Sequence, residues 1–176
     1  MKAFITGGGG FLGKAIIRLL IKEGYEVVSY SRGHYPDIEK LGAKHFSGDL
    51  SDFEKLKEAM TGCEVVFHVA AKAGFWGQYN EFYIANVVGT ENVIKACKEL
   101  NINKLVYTSS PSVVHTGQNI EGRDESMPYP SKFEAYYPET KAIAEKKVIA
   151  ANDETFATVS LRPHLIWGPE DHHFLP

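Results

Sequence analysis

Apolar positions along the chain fall into two rhythms that take turns. Short runs rich in β-branched and aromatic residues predict strands at 2–6, 26–30, 43–46, 65–69, 104–108 and 155–161. Longer segments with apolar residues at three- and four-residue intervals predict helices at 11–23, 52–60, 81–100 and 136–151, and Gly24 and Gly62 stand where C-terminal caps of the first two belong. Strand and helix alternate with short connections, which is the order of a parallel sheet wound in both directions by right-handed crossovers, with helices on both faces. Residues 109–132 break the rhythm with several Pro, Gly, Ser and Asn, so they read as a long loop over the strand ends. No internal repeat interrupts this order.

The turn after the first strand brings in chemistry. Residues 1–13 read MKAFITGGGGFLG, and two glycine spacings coexist there: Gly8-x-Gly10-x-x-Gly13, and Thr6-Gly7-x-x-Gly10-x-x-Gly13. The second is the more specific. Gly7 would supply the tight turn, Gly10 the close approach of backbone to phosphate, and Gly13 the contact of helix with strand. Free N–H groups and the dipole at the next helix's N-terminus would then attract a pyrophosphate. A glycine triplet alone is weak evidence, but this one lies between an alternating strand and a helix-periodic segment, the context of a Rossmann dinucleotide-binding fold.

Composition narrows the picture. The 176 residues, 44% hydrophobic, suit one domain spanning 1–176 with a proper core. A net charge of −3 and the lack of a basic run argue against a nucleic-acid partner. Cys63 and Cys97 are too few for a disulfide framework or a metal quartet, so both read as buried thiols in a reducing compartment, the cytoplasm by expectation. The apolar stretches are too short for a membrane span, and the N-terminus opens the first strand rather than a signal peptide. Glu170, Asp171, His172 and His173 lack the spacing of a metal site, so no metal is expected, and His68 and His115 read as structural.

Which dinucleotide is preferred turns on the end of the second strand. An acidic residue about 20 positions beyond the glycines would hold a ribose 2′-hydroxyl and repel a 2′-phosphate. Ser31 and Arg32 stand there instead, a hydroxyl donor and a forked cation, and this pair favours NADP, with NAD also possible.

Tyr137-Pro138-Glu139-Thr140-Lys141 carries the catalytic signal. Residues i and i+4 share a helix face, so the Lys141 ammonium would sit near the Tyr137 phenol and lower a reference pKa of about 10 toward the working pH. Pro138 suits a first helical turn, where the dipole also favours a phenolate. Tyr136 is weaker, because Thr140 stands where its lysine should be. Ahead of the helix, Val106-Tyr107-Thr108-Ser109-Ser110 ends a strand in hydroxyls, and Ser110 is placed beside the phenol to steady a carbonyl oxygen, in preference to Ser109 and Ser112.

Taken in order, these motifs resemble the extended short-chain dehydrogenase/reductase family over nearly the whole chain. The resemblance adds Gly48-Asp49-Leu50, His68-Val69-Ala70-Ala71, Asn86-Val87-Val88-Gly89-Thr90 and Arg162-Pro163 to the glycine turn and the Tyr–Lys pair. It implies that Asp49 contacts adenine, that Ala70 and Ala71 line the nicotinamide ribose, and that Lys141 binds that ribose. Phe11, Leu12, Leu50, Tyr137 and Pro163 are carried over as cofactor-binding on the same ground. Asn86 helps form the site in that family, although structural bonding explains it equally well.

Within that family the chain is similar to the 3β-hydroxysteroid dehydrogenase-like branch, and segments 31–36, 71–77 and 161–169 narrow the resemblance to NADPH-using ketone reductases. That branch implies an NADP-dependent reductase of a small apolar ketone, a 3-oxo acid or steroid-like molecule, or the reverse oxidation of an alcohol. Phe75 and Trp76, in a glycine-flanked loop, would suit such a substrate. A homodimer through the helices at 81–100 and 136–151 is implied by the same resemblance. Family members continue past the Arg162-Pro163 segment into a region that closes over the substrate, so the chain is expected to lack its C-terminal substrate region. Two other readings stay open: a nucleotide-sugar epimerase or dehydratase, which would keep an acid where Ser31 stands, and a non-catalytic dinucleotide sensor, which would lose the Tyr–Lys pair.

Overall fold

In the computed structural model, which describes residues 1–74, 76–117 and 120–171, every predicted strand forms. They are β1 (Lys2–Thr6), β2 (Glu26–Ser31), β3 (Lys44–Ser47), β4 (Val65–His68), β5 (Lys104–Thr108) and β6 (Ala157–Leu161). All neighbours run parallel, in the order β3-β2-β1-β4-β5-β6. The chain thus builds outward from β1 to one edge, returns, and builds to the other. The switch between β1 and β4 leaves a crevice at the carboxyl ends of the strands, where the sheet has no crossover to cover it.

Side-chain alternation along each strand explains why both faces are covered. Phe4, Val28, Tyr30, Val66, Leu105 and Tyr107 point to one face, where they meet α3 (Phe53–Met60), α5 (Gly89–Glu99) and α6 (Tyr136–Ala150) through Leu56, Met60, Val93, Ala96, Ala144 and Val148. Ile5 and Val27 point to the other, against Ile17 of α1 (Phe11–Lys22) and Ile38 of α2 (Pro36–Lys40). Both cysteines are buried in the first layer, where loss of solvent pushes their thiols up, to about 11 for Cys63 and about 12 for Cys97, so neither is a ready thiolate. Gly24 at φ 81° and Gly62 at φ 75° end α1 and α3 as the sequence predicts.

Three local features depart from the periodicity. α2 was hidden because it is five residues long and buries only Ile38; Pro36 starts it, and an ion pair of Asp37 with Lys14 fastens it to α1. The helix expected over 81–100 begins earlier, as α4 (Tyr79–Tyr83), and passes through a π-helical stretch at Ile84–Val88 before α5. That widened turn lets Asn86 reach inward, where it accepts from the Lys72 N–H at 2.7 Å and donates to the Lys72 carbonyl at 3.1 Å and the Thr140 hydroxyl at 3.0 Å. Finally, β6 starts at Ala157 because Asp153 takes the Thr155 and Phe156 N–H groups into a turn.

Candidate active site

One cleft of about 880 Å³ opens at the switch point, and the sequence-derived residues converge on it. Gly7, Gly10, Phe11, Leu12, Gly13, Ser31, Arg32, Asp49, Leu50, Ala70, Ala71, Ser110, Tyr137, Lys141 and Pro163 all line it. Gly8 does not, so the spacing Gly7–Gly10–Gly13 is the one that faces the cleft.

The geometry of the turn fits a pyrophosphate. Gly7 sits at φ 73°, and a Cβ there would lie 2.8 Å from the Ala70 backbone. At Gly13 a Cβ would be 2.2 Å from the Gly7 carbonyl oxygen, so α1 presses directly on the turn. Gly10 is different: its nearest neighbour would be 3.4 Å away, which leaves that side to the cleft. The N-terminus of α1 has no side-chain cap and no acidic residue in its first turn, so its N–H groups and dipole remain for an anion. Tyr35, which periodicity did not single out, lies against the turn; a Cβ on Gly9 would meet its ring at 2.3 Å.

At the end of β2, the Ser31 hydroxyl is buried and finds no hydrogen-bond partner among the described residues, while Arg32 is exposed beside it. A buried donor left single is costly unless something else takes its hydrogen. Asp49, just past the neighbouring β3, has its carboxyl held below the ordinary value, mainly by the Ser51 N–H and hydroxyl, with the Arg32 charge a lesser cause. These groups fit the adenosine end of a dinucleotide, with Ser31 and Arg32 able to take a 2′-phosphate and Asp49 a base edge.

The opposite wall is built by α6 and the end of β5. Pro138 lies in the first turn of α6, so Tyr137 enters the cleft at the helix start and Lys141 follows one turn on. The Ser110 hydroxyl lies close enough to Tyr137 to favour the charged phenolate without meeting hydrogen-bond geometry, and it pairs with the Ser112 hydroxyl at 2.8 Å. Lys141 is buried, donates to the Thr108 carbonyl at 2.6 Å and lies 4.2 Å from the centre of the Tyr107 ring. Tyr136 turns away and packs on Tyr79 and Phe82.

Here the electrostatic expectation is corrected. Burial raises the Tyr137 phenol above its ordinary value, with only the nearby Ser110 hydroxyl acting the other way. The Lys141 ammonium is engaged by Thr108, and burial lowers it to about 7, partly offset by Glu145. Helical spacing sets the pair on one face, but low dielectric acts on both groups more strongly than they act on each other. Asn86 serves structure rather than the cleft, as its three bonds show. His68 is likewise satisfied, between Thr6 and Thr90, whereas His115 is exposed and accepts from the Gly117 N–H. Among the described residues no group of three or more His, Cys, Asp or Glu could hold a metal, and no helix is long and apolar enough to cross a membrane. Phe75, His172 and His173 lie outside the described residues; Trp76 is 90% exposed.

A parallel six-stranded sheet with a glycine cradle at its switch point defines a dinucleotide-binding α/β protein of the extended short-chain dehydrogenase/reductase type. More narrowly, the chain belongs to the 3-beta hydroxysteroid dehydrogenase/isomerase family, whose model matches residues 4–176. It is 52% identical to a 2-alkyl-3-oxoalkanoate reductase of Shewanella oneidensis, covering 99% of this chain and 47% of that one. A protein of the same name from Stenotrophomonas maltophilia is 49% identical, over 100% of this chain and 54% of the relative. The chain therefore spans about half the length of the curated relatives it matches. Among solved structures, the UDP-glucuronic acid 4-epimerase of Bacillus cereus in complex with NAD superposes with a TM-score of 0.81 at 25% identity, over 97% of this chain and 59% of that one.

Proposed function

We propose that residues 1–176 form one nucleotide-binding domain that supplies the NADP site and the proton donor of a ketone reductase. The observation that carries this reading is the single cleft in which the Gly7–Gly13 cradle faces Ser110, Tyr137 and Lys141. In it, Gly7, Gly10 and Gly13 with the first amides of α1 receive the pyrophosphate, and Ser31 and Arg32 receive the 2′-phosphate. Asp49 and Leu50 border the adenine, while Ala70, Ala71, Lys141 and Pro163 border the nicotinamide ribose. A hydride is the chemistry supplied by the reduced dinucleotide when bound.

Tyr137 then performs the protein's part. Burial keeps its phenol protonated, so it stands ready to donate O–H to a ketone oxygen, and Ser110 orients that oxygen beside it. Lys141 keeps its side chain fixed through Thr108 and offers positive charge to the oxygen left on Tyr137. On the substrate side the cleft is bordered by Leu165 and Ile166, which suits an apolar chain such as that of a 2-alkyl-3-oxo acid, the substrate in the name of the half-identical relatives.

Oxidation of NADPH by such an acid tests the reading. Wild type should turn over, and Tyr137→Phe should lose roughly 100-fold or more, the scale of a general acid. Arg32→Ala should weaken NADPH by about 10-fold, the worth of a charge-assisted bond, and leave NADH unchanged. Conversion of a UDP-sugar with NAD, in place of NADPH oxidation, would turn the assignment to an epimerase.

A further inference from the structure

Four residues past Lys141 on α6, Glu145 is fully buried, and so is an expensive place for a carboxylate. The guanidinium of Arg162, which directly follows β6, clasps it: Nη2 donates to Oε1 at 2.6 Å, and Nε to Oε1 and Oε2 at 3.1 and 3.2 Å. Tyr129, from the long loop, donates its hydroxyl to Oε1 at 2.6 Å and lays its ring 5.7 Å from the guanidinium carbon. The buried Ser109 hydroxyl, just past β5, lies close enough to favour the charged carboxyl without meeting hydrogen-bond geometry. One carboxylate therefore gathers α6, the ends of β5 and β6, and the loop.

We propose that Glu145 is a positioning residue: with Arg162 and Tyr129 it forms a buried charged clamp that fixes α6 against the strand ends, and so sets Tyr137 and Lys141 relative to Ser110 and Thr108. This rests on the reductase reading for its meaning, though not for its geometry. Stability alone accounts poorly for such a clamp, because a buried ion pair can often be replaced by apolar residues of like volume with no loss. Its placement accounts for it better. Ser109 stands between Thr108, whose carbonyl holds Lys141, and Ser110, which lines the cleft with Tyr137 and acts on its phenol, and the Ser109 N–H donates to the Leu161 carbonyl at 2.6 Å, next to Arg162. The two strand ends and the helix are thus tied at one point, one turn beyond the lysine. Glu145 also acts on Lys141 directly, since its charge favours the ammonium against the cost of burial.

The double change Glu145→Met with Arg162→Met removes both charges together. The variant is expected to fold with an unfolding midpoint at or above that of wild type, to bind NADPH within about 3-fold, and to lose roughly 10- to 100-fold in kcat, the cost of misplacing a reacting group by a fraction of an ångström to one ångström. With tyrosines labelled at Cζ, the Tyr137 resonance, identified by its loss in Tyr137→Phe, should move or split. A folded double variant with unchanged kcat and an unmoved Tyr137 resonance overturns the proposal. Should the double variant fail to fold, Tyr129→Phe, which bares no charge, is read the same way: a smaller fall in kcat with a moved resonance supports the clamp, and neither change refutes it. If wild type shows no NADPH oxidation, the reductase reading fails, and the Tyr137 resonance still decides the clamp.

Discussion

Gly13 and Gly10 look alike in the motif but do different work. A methyl group on Gly13 would sit 2.2 Å from the Gly7 carbonyl oxygen and 2.8 Å from the Gly8 Cα, both backbone, so either the turn or α1 must move. Gly13→Ala should therefore cost about 1–3 kcal/mol of stability, in the range of overpacked core changes, and lose dinucleotide binding with it. Gly10→Ala meets only a 3.4 Å contact, so it should keep the wild-type melting temperature while weakening the nucleotide, as thermal unfolding and calorimetric titration on the same samples would show. Equal destabilisation by the two changes would contradict this division. At this scale the sequence was readable, since glycine is required where backbone meets backbone. What it could not display was the sign of the Tyr137 shift. Spacing reports which side chains share a face, whereas a pKa depends on how much water the finished fold removes.

Between elements, a buried histidine of β4 joins β1 to α5. The Thr6 hydroxyl already accepts the Val69 and Ala70 N–H groups at 3.1 Å, so it donates to His68 Nδ1 at 2.6 Å. Thr90 donates to the Asn86 carbonyl, so it accepts from His68 Nε2–H at 2.9 Å. That chain admits one neutral tautomer and no second proton. Burial first, and the Lys141 charge second, lower His68 to about 3 from 6.5. The unfolded chain therefore binds the extra proton more readily below 6.5, and this part of the stability, complete above that pH, is lost as pH falls toward 3. His68→Gln should flatten the fall of the urea midpoint over that window; an unchanged slope would mean that other groups govern it. The strands and long helices were legible because two-residue and 3.6-residue periods dominate them. The π-helical stretch was not, because it answers to Asn86 reaching Lys72 and Thr140, partners that only the tertiary fold supplies. α2 offered one buried residue, too few to make a period.

Across the whole molecule, cover is uneven. α1 and α2 protect the β1–β2 side of one sheet face, but at the far edge Val159 and Leu161 of β6 are about half exposed, and Leu165 and Trp167 more so. Among the described residues β6 pairs only with β5, so beyond the Thr158 N–H, which Asn152 takes at 2.8 Å, its outer edge is an unpaired sheet edge. This 176-residue chain should bind a hydrophobic dye and self-associate with rising concentration, and Val159→Lys with Leu161→Lys should suppress both in dye titration and sedimentation without altering the far-ultraviolet circular dichroism. A monomer that stays dye-silent at high concentration would argue otherwise.

The cleft's two rims are fastened very differently. Asn86 ties the 70–74 rim to α6 from inside the core, with one amide bonded to both Lys72 and Thr140. On the other side, residues 163–171 return over α1, where Gly168 approaches Phe11 and Glu170, at φ 75°, meets Arg18 in an exposed two-pronged ion pair at 2.8 and 2.9 Å. Exposed pairs hold weakly and yield to salt, while a buried amide does not. The pocket accordingly has one rim whose fastening to α1 through Arg18 and Glu170 is exposed to salt and one, behind Ala70 and Ala71, whose fastening is not.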